Sequence, residues 1–465
     1  MKILAVVHAF PPEGVGGTER YARGVLAELV RRGHEVRVLS GTMQWRPKVE
    51  ISTAVDEGIV VDRVHRSDLY FDHWDKVFNP HVSRLYEREL DSFRPDLVHV
   101  HHWVRLSSEL VRRAAQRAIP VVLHLHDLFV TCPRVFRIHR EGHSCHEEMG
   151  EKACLKCVPR WKFQGDDEVR ASLERYAHEA RAEVVAARVR IAPSASHARS
   201  ISGHLRLPLE AIDVLEHPRI GETWPCASSA QSPRGHLKLL FFAQLHPIKG
   251  LHRVLEAMRR LEPESGVELD VFGAFATKEY EHRVRELARG LEARFHGAYP
   301  PGEPARGAYD AIVLPSLAQE SFSFWLTEAY DLGLPVLLSR NGALAERACG
   351  RARLVDPENV EEMAAALQEL RDQPELRARM ASASAPQAPS VREHVDSLEP
   401  LYAKAINAGA AQEVVPVARL EDVTFEWDRR EWAFRELLRS EGWEDVISSM
   451  NRELEELRAR ERRDS

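Results

Sequence analysis

The apolar positions of the chain alternate between two periods. Ile3, Leu4, Ala5, Val6 and Val7 form one unbroken apolar run, the pattern of a strand covered on both faces. A loop with prolines and glycines follows, from Pro11 to Gly17. From Thr18 to Arg32 the apolar residues Tyr21, Val25, Leu26 and Leu29 recur at helical spacing, and Gly33 stands where a helix C-terminal glycine belongs. His34 to Leu39 reads as the next strand. A strand, loop, helix and strand in this order predict a parallel, doubly wound sheet.

The same alternation continues. Asp96–Val100 and Pro120–Leu125 read as strands flanking a helix over Ser107–Arg117, and a long helix over Asp167–Arg188 precedes a strand at Val189–Ala192. Glu222–Gly235 is rich in Pro, Ser and Ala and reads as part of a linker. A second series then begins. Strands are expected at Lys238–Ala243, Glu268–Phe272, Asp310–Leu314 and Pro335–Ser339, and helices at Leu251–Leu261, Lys278–Leu291 and Phe324–Leu332. The resulting division is an N-terminal domain over 1–216, a linker over 217–236 and a C-terminal domain over 237–388. A return helix over 389–408 and a helical tail over 409–465 complete it. The tail carries Trp427, Trp432 and Trp443 and ends in an amphipathic stripe of Val446, Ile447, Met450, Leu454 and Leu457. Such a stripe packs back on the body or meets a second copy or a membrane surface.

Composition narrows the class. The 465 residues exceed one ordinary core, so two domains are expected. A net charge of −7 argues against a nucleic-acid binder. The apolar start of the chain meets Pro11 and Pro12 too soon for a signal peptide, and no run approaches the length of a membrane span. The expected location is the cytoplasm, with peripheral membrane contact left open. Six cysteines in such a chain are free or metal-bound rather than disulfide-bonded.

The densest chemistry lies in PSLAQESFSFWLTEAYDLGLP, Pro315 to Pro335. A loop there turns into a helix between Glu320 and Glu328. Amides near Phe322 to Phe324 would open that helix, and a helix N-terminus binds phosphate through unpaired N–H groups and the helix dipole. Carboxylates on either side accept hydrogen bonds from sugar hydroxyls. Two surface glutamates on a helix are the plainer reading of this spacing alone.

This block resembles the signature of the retaining glycosyltransferases of family four. The matching positions are Pro315–Ser316, Glu320–Ser321–Phe322–Ser323, Glu328–Ala329 and Gly333–Leu334–Pro335–Val336. The resemblance implies that Glu320 lies by the transferred sugar, that Glu328 holds the ribose, and that Ser321, Phe322, Ser323 and Phe324 line the donor. Upstream, FFAQLHPIKG resembles the family's G-R-L-x-x-x-K-G loop, with Lys249 and Gly250 matching. Ala243 and Gln244 replace its glycine and arginine. Lys249 would neutralise charge on the leaving diphosphate, a task in which the uncharged Gln244 falls short of arginine. Ser323 stands where the family often has glycine, and Gly342–Ala343 replaces a Gly–Gly pair before Glu346. In the N-terminal half, HAFPPEGVGGTERY resembles the family's loop after the first strand, so Gly16 and Gly17 would let backbone approach the donor. His126, in LHLHDLFVTCPR, matches the histidine that contacts the transferred sugar. His99, His101 and His102 read as structural.

The resemblance covers about Met1 to Ile406. It implies a GT-B fold: two Rossmann-like doubly wound domains facing a cleft, here with a C-terminal helical tail. The implied activity is transfer of a hexose from a nucleoside diphosphate sugar to an acceptor hydroxyl, with retention and without a catalytic metal. Polysaccharide, lipopolysaccharide or glycolipid assembly is the family-level setting. A nucleotide-sugar isomerase on the same fold and a non-catalytic nucleotide-sugar-binding protein remain as alternatives.

A separate set is Cys132, Cys145, Cys154 and Cys157. Its closing C-x-x-C suits a tetrahedral structural zinc in a segment with little core of its own. Four reduced thiols packed in an apolar pocket are the alternative. The acceptor side carries aromatics at Tyr70, Phe71, Trp74 and Phe78 that suit sugar stacking, lipid contact or packing.

Overall fold

A computed structural model describes residues 1–440 except 15, 45, 47, 67, 69–73, 75–77, 162–163, 263–264 and 410–413. The chain forms two compact units. One comprises Met1–His126, Pro159–Ile191 and the described residues from Val395 onward; the other comprises Asp127–Val158 and Ala192–His394.

The first unit is built on a sheet whose strands run, from one edge, Glu50–Asp56, Ile59–His65, Glu35–Gly41, Lys2–Val7, Leu97–Val100, Val121–His124 and Val189–Ala192. The first two pair antiparallel and the others parallel, with Ile3 opposite both Val36 and Leu97. Ile3 to Val7 are fully buried, as an unbroken apolar run requires. The helix Gly17–Arg31 covers one face with Tyr21, Ala22, Val25, Leu26 and Leu29. The hairpin Glu50–Asp56/Ile59–His65 turns at Glu57 and Gly58, which both have positive φ as a tight two-residue hairpin turn demands. Tyr402, on the helix Val391–Asn407, hydrogen-bonds His99 at 2.7 Å within this unit. The helix Leu420–Ser440 lies against the helix Pro80–Phe93, with His81 to Asp428 at 2.7 Å and the Trp427 indole donating to the Phe78 carbonyl at 3.2 Å. Trp443 and the stripe from Val446 to Leu457 lie outside the described residues, as do Tyr70 and Phe71. Trp74 is a packing residue: it is buried, and its indole donates to the Pro159 carbonyl at 2.8 Å.

The second unit carries six parallel strands in the order Glu292–Gly297, Val267–Phe272, Leu237–Phe242, Ala311–Leu314, Val336–Ser339, Ala352–Val355. The winding direction reverses between Leu237–Phe242 and Ala311–Leu314. Ligands of open α/β sheets bind beyond the carboxyl ends of strands at such a reversal.

Two segments differ from their expected place. Residues 217–236, expected as a linker, pack into the second unit. Arg219 grips Asp331 through both guanidinium nitrogens, Trp224 is buried 5.2 Å from Phe242, and Ser228–Ser229 pairs with Ala308–Tyr309. The cysteine-bearing segment, expected as part of the N-terminal domain, also belongs to the second unit, where the Ser144 hydroxyl donates to the Leu317 carbonyl at 3.0 Å. Among the described residues no helix is long and apolar enough to cross a membrane.

Candidate functional site

In the second unit, two loops meet beyond the carboxyl ends of the central strands. The first follows Leu237–Phe242 and makes a single 3-10 turn over Pro247–Lys249, capped by Gly250. The second is Pro315–Ser323. Gly250 has φ 74°, and a Cβ there would stand 2.0 Å from the Pro315 carbonyl oxygen. Only glycine allows that approach. The loops then zip together: Leu317 N–H donates to the Ile248 carbonyl at 2.8 Å and the Ser316 hydroxyl to the same oxygen at 3.2 Å.

This seam brings Lys249 and Glu320 together. The ammonium lies 2.7 Å from Glu320 Oε1, which also accepts from the Ser316 hydroxyl at 2.9 Å. The side chains are 22% and 14% exposed, so the pair is shielded yet reachable. Lys249 also lies 5.3 Å above the Trp325 ring. Behind Glu320, Gly342 approaches so closely that a Cβ would stand 2.8 Å from the Glu320 carbonyl oxygen, which accepts the Ala343 N–H at 2.9 Å.

The helix Phe324–Asp331 follows, with Glu328 half-buried on it. Its cap, Ser323, sits at φ 70°, a conformation natural to the glycine that the family often has there. Its hydroxyl accepts the Leu326 N–H, which gives serine a compensating bond. Arg347 was not anticipated. Its side chain is largely shielded, it donates to the carbonyls of Phe322 and Ser323 at 2.8 and 3.0 Å and to the Thr327 hydroxyl at 3.0 Å, and it stacks 3.8 Å from the Phe322 ring. In a trans peptide the C=O and N–H point opposite ways. Holding those carbonyls therefore turns the N–H groups of Ser323 and Phe324 away from Arg347. Burial lowers the Arg347 guanidinium to about 10, so it stays charged at neutral pH. Gln244 is exposed at the end of its strand.

In the first unit, His126 follows the strand Val121–His124 and is buried. Its Nε2 lies 3.1 Å from His101 Nδ1, its ring stacks 4.2 Å from His124, and Tyr21 meets it edge-on at 5.0 Å. Burial lowers His101 to about 3, so it is a neutral partner of His126. Gly16 caps the helix that Gly17 opens. Glu19 folds beneath this loop, and a Cβ on Gly16 would stand 2.6 Å from its carboxylate. Glu19 pairs with His8 at 3.1 Å. Burial pushes the Glu19 carboxyl up, but the hydrogen bond and charge of His8 outweigh it and the net shift is downward. Gly16 is thus required by a neighbour in its own unit.

All four cysteines of the 132–157 segment are free thiols. Burial raises Cys132 to about 11, and the nearby Cys154 and Cys145 add to the rise. The thiols are near enough to act electrostatically on one another, although among the described residues no three of the sulfurs lie within 4.8 Å of one another. In the same segment His139, Glu141 and His143 do place ligand atoms that close.

Two family models match the chain. Residues 15–218 match the model of Glycosyltransferase Family 4, and residues 236–373 that of Glycosyl transferases group 1. Glycogen synthase of Mycobacterium tuberculosis is 26% identical over 418 residues, spanning 83% of this chain and 89% of that protein. Sucrose-phosphate synthase of Thermosynechococcus elongatus superposes with a TM-score of 0.57 at 17% identity, over 87% of this chain and 97% of that one. Anabaena HepE, solved with UDP and glucose, superposes with a TM-score of 0.53 at 17% identity, over 87% and 99%. The chain belongs to the family-four, group 1 glycosyltransferases and has their GT-B fold.

Proposed function

We propose that this protein transfers a hexose from a nucleoside diphosphate sugar to an acceptor hydroxyl, with retention of anomeric configuration. The observation that carries the reading is the Lys249–Glu320 pair beside the helix Phe324–Asp331, at the point where the second sheet reverses. The diphosphate takes the place beside the Lys249 ammonium and the N–H groups of Ser323 and Phe324. Glu320 and His126 orient the sugar, and Glu328 binds the ribose. Gly16 and Gly17 keep the backbone of the first loop low enough to approach the donor, and Ser321, Phe322 and Gln244 complete the donor side. As the bond from the anomeric carbon to the phosphate oxygen breaks, the acceptor oxygen bonds to that carbon from the same face. Its proton passes to the departing diphosphate. Lys249 and the amides stabilise the charge that builds there. No step calls for a metal.

The likeness to glycogen synthase supports a glycan acceptor, and assembly of a polysaccharide, lipopolysaccharide or glycolipid is the setting we infer. Gln244 favours a second reading, a nucleotide-sugar-binding protein without turnover, because an uncharged side chain stabilises a leaving diphosphate less than arginine does. Incubation with a panel of nucleoside diphosphate sugars separates the readings. Release of the nucleoside diphosphate with one donor, lost in Glu320→Ala, supports transfer. Thermal stabilisation by a nucleotide with no release from any donor, across glycan and lipid-linked acceptors, sinks it in favour of binding alone. NMR of the product's anomeric proton tests retention.

A further inference from the structure

The cysteine-bearing segment is the largest feature that sugar transfer leaves unused. It has almost no core: from Cys132 to Cys157 only Pro133, Arg137 and Cys157 are buried. Its shape depends on main-chain contacts. Arg137 donates to the carbonyls of Thr131 at 2.9 Å, Cys145 at 3.1 Å and Glu147. Cys154 and Cys157 flank a tight turn closed by Cys157 N–H to the Cys154 carbonyl at 2.9 Å. Cys145 and Cys154 both act electrostatically on Cys132, and Cys145 and Cys157 on Cys154. A segment so poor in core, with four thiols converging, is the situation in which a metal supplies the missing stability.

The neighbours of Cys145 add a second observation. On one side, Ser144 donates from its hydroxyl to the Leu317 carbonyl at 3.0 Å and from its N–H to Glu358. On the other, His146 Nδ1 lies 3.5 Å from Gln319 Nε2. Leu317 and Gln319 are in the loop Pro315–Ser323, which carries Glu320.

We propose that Cys132, Cys145, Cys154 and Cys157 bind one structural zinc ion, and that this ion fixes Cys145 and so steadies the loop that carries Glu320. Each thiol loses its proton to solvent as its sulfur bonds to zinc, giving a tetrathiolate with four protons released. Zn–S bonds of about 2.3 Å set sulfurs about 3.8 Å apart, so loading draws the set inward. With four sulfurs bound no position is open, and the ion holds shape without touching the sugar. Only the link to Glu320 rests on the donor-site reading; the metal site stands without it.

The test uses the full chain, purified under reducing conditions, stripped with a chelator and reloaded with zinc chloride. Mass spectrometry measures metal content and native alkylation of each thiol, and hydrogen exchange follows residues 315–320 without donor. The expected result is about one zinc per chain, four thiols protected from alkylation, and the exposed Cys226 still reactive. Stripping should raise exchange at 315–320 severalfold and leave the strand Leu237–Phe242 unchanged. Cys145→Ser should lower zinc content and raise the same exchange. Failure of the reduced chain to take up zinc, with all four thiols alkylated as fast as Cys226, overturns the site. Zinc retained in Cys145→Ser but lost in His139→Ala/His143→Ala moves it to the His139, Glu141 and His143 group. Zinc bound by the cysteines with exchange at 315–320 unchanged overturns the link. Because no donor is present, none of these outcomes depends on whether sugar transfer occurs.

Discussion

The Lys249 ammonium lies 2.7 Å from the Glu320 carboxylate, although 71 positions separate them in the chain. Each residue sits on a loop after one of two adjacent strands. Lys249→Met should lower kcat by about 100- to 1,000-fold, the cost of losing one charge-stabilising group in a shielded site. Nucleotide binding should weaken far less than that. Equal losses in kcat and in nucleotide affinity would assign Lys249 to ground-state binding instead.

Gln244 offers the converse experiment. Gln244→Arg restores a guanidinium at the strand end and should raise turnover about 10-fold or more, the worth of a charge-assisted hydrogen bond. Unchanged turnover in a protein that binds donor would show that the uncharged side chain is not the limiting feature.

Ser323 holds a left-handed conformation at φ 70° while capping a helix. Ser323→Gly removes a strain of about 1 kcal/mol and loses only a few tenths in capping. The denaturant midpoint should therefore rise. A fall would mean that the Ser323 hydroxyl contributes more than the conformation costs.

Arg347→Met leaves the Phe322 and Ser323 carbonyls without their shielded donor. The expected destabilisation is about 2 kcal/mol, with weaker nucleotide diphosphate binding because the neighbouring amides lose their fixed direction. Arg347→Lys should not restore binding, since one ammonium does not reproduce the planar fork. Full rescue by lysine would reduce Arg347 to a point charge.

Stability should fall as the medium is acidified. Burial lowers His101 and His252 to about 3 and His394 to about 4, from an unfolded value of 6.5. Between those limits the unfolded chain binds more protons, so stability rises with pH there and is lost as pH drops below about 6.5. Each histidine contributes up to about 1.4 kcal/mol per pH unit. Glu183, raised by burial to about 7, and Glu179, also raised, run the other way but are outnumbered. Unfolding free energies measured at pH 7 and pH 5 should differ by several kcal/mol, and His252→Asn should flatten the slope by about one proton. Equal free energies at the two pH values would contradict this.

Covered strands were legible where their apolar run is unbroken; Ile59–His65 is nearly all buried yet escaped, because Asp62, Arg63 and His65 interrupt its run. The run at Ile3–Val7 is five apolar residues without a break, bounded by a loop rich in proline and glycine, which favours a strand over a helix. Glu292–Gly297 escaped because it is an edge strand whose exposed Glu292, Arg294 and His296 dilute its apolar residues. Glu50–Asp56 escaped for the same reason. Lys249, Glu320 and Glu328 were named because their spacing matches a family pattern, and the first two meet at 2.7 Å. Arg347 was not: its role comes from hydrogen bonds to two carbonyls 24 and 25 positions away, which no local pattern encodes. Residues 217–236 pack where a linker was expected because Arg219 finds Asp331, Trp224 finds Phe242 and Ser228–Ser229 finds a strand partner, contacts that a composition rich in Pro and Ser does not advertise.

The contact of Gly250 with Pro315 works as a spot weld between two loops. A Cβ at position 250 would stand 2.0 Å from the Pro315 carbonyl oxygen, so the loops that carry Lys249 and Glu320 are joined main chain to main chain. A side chain added at that one point forces the two loops apart, and the ammonium and the carboxylate part with them.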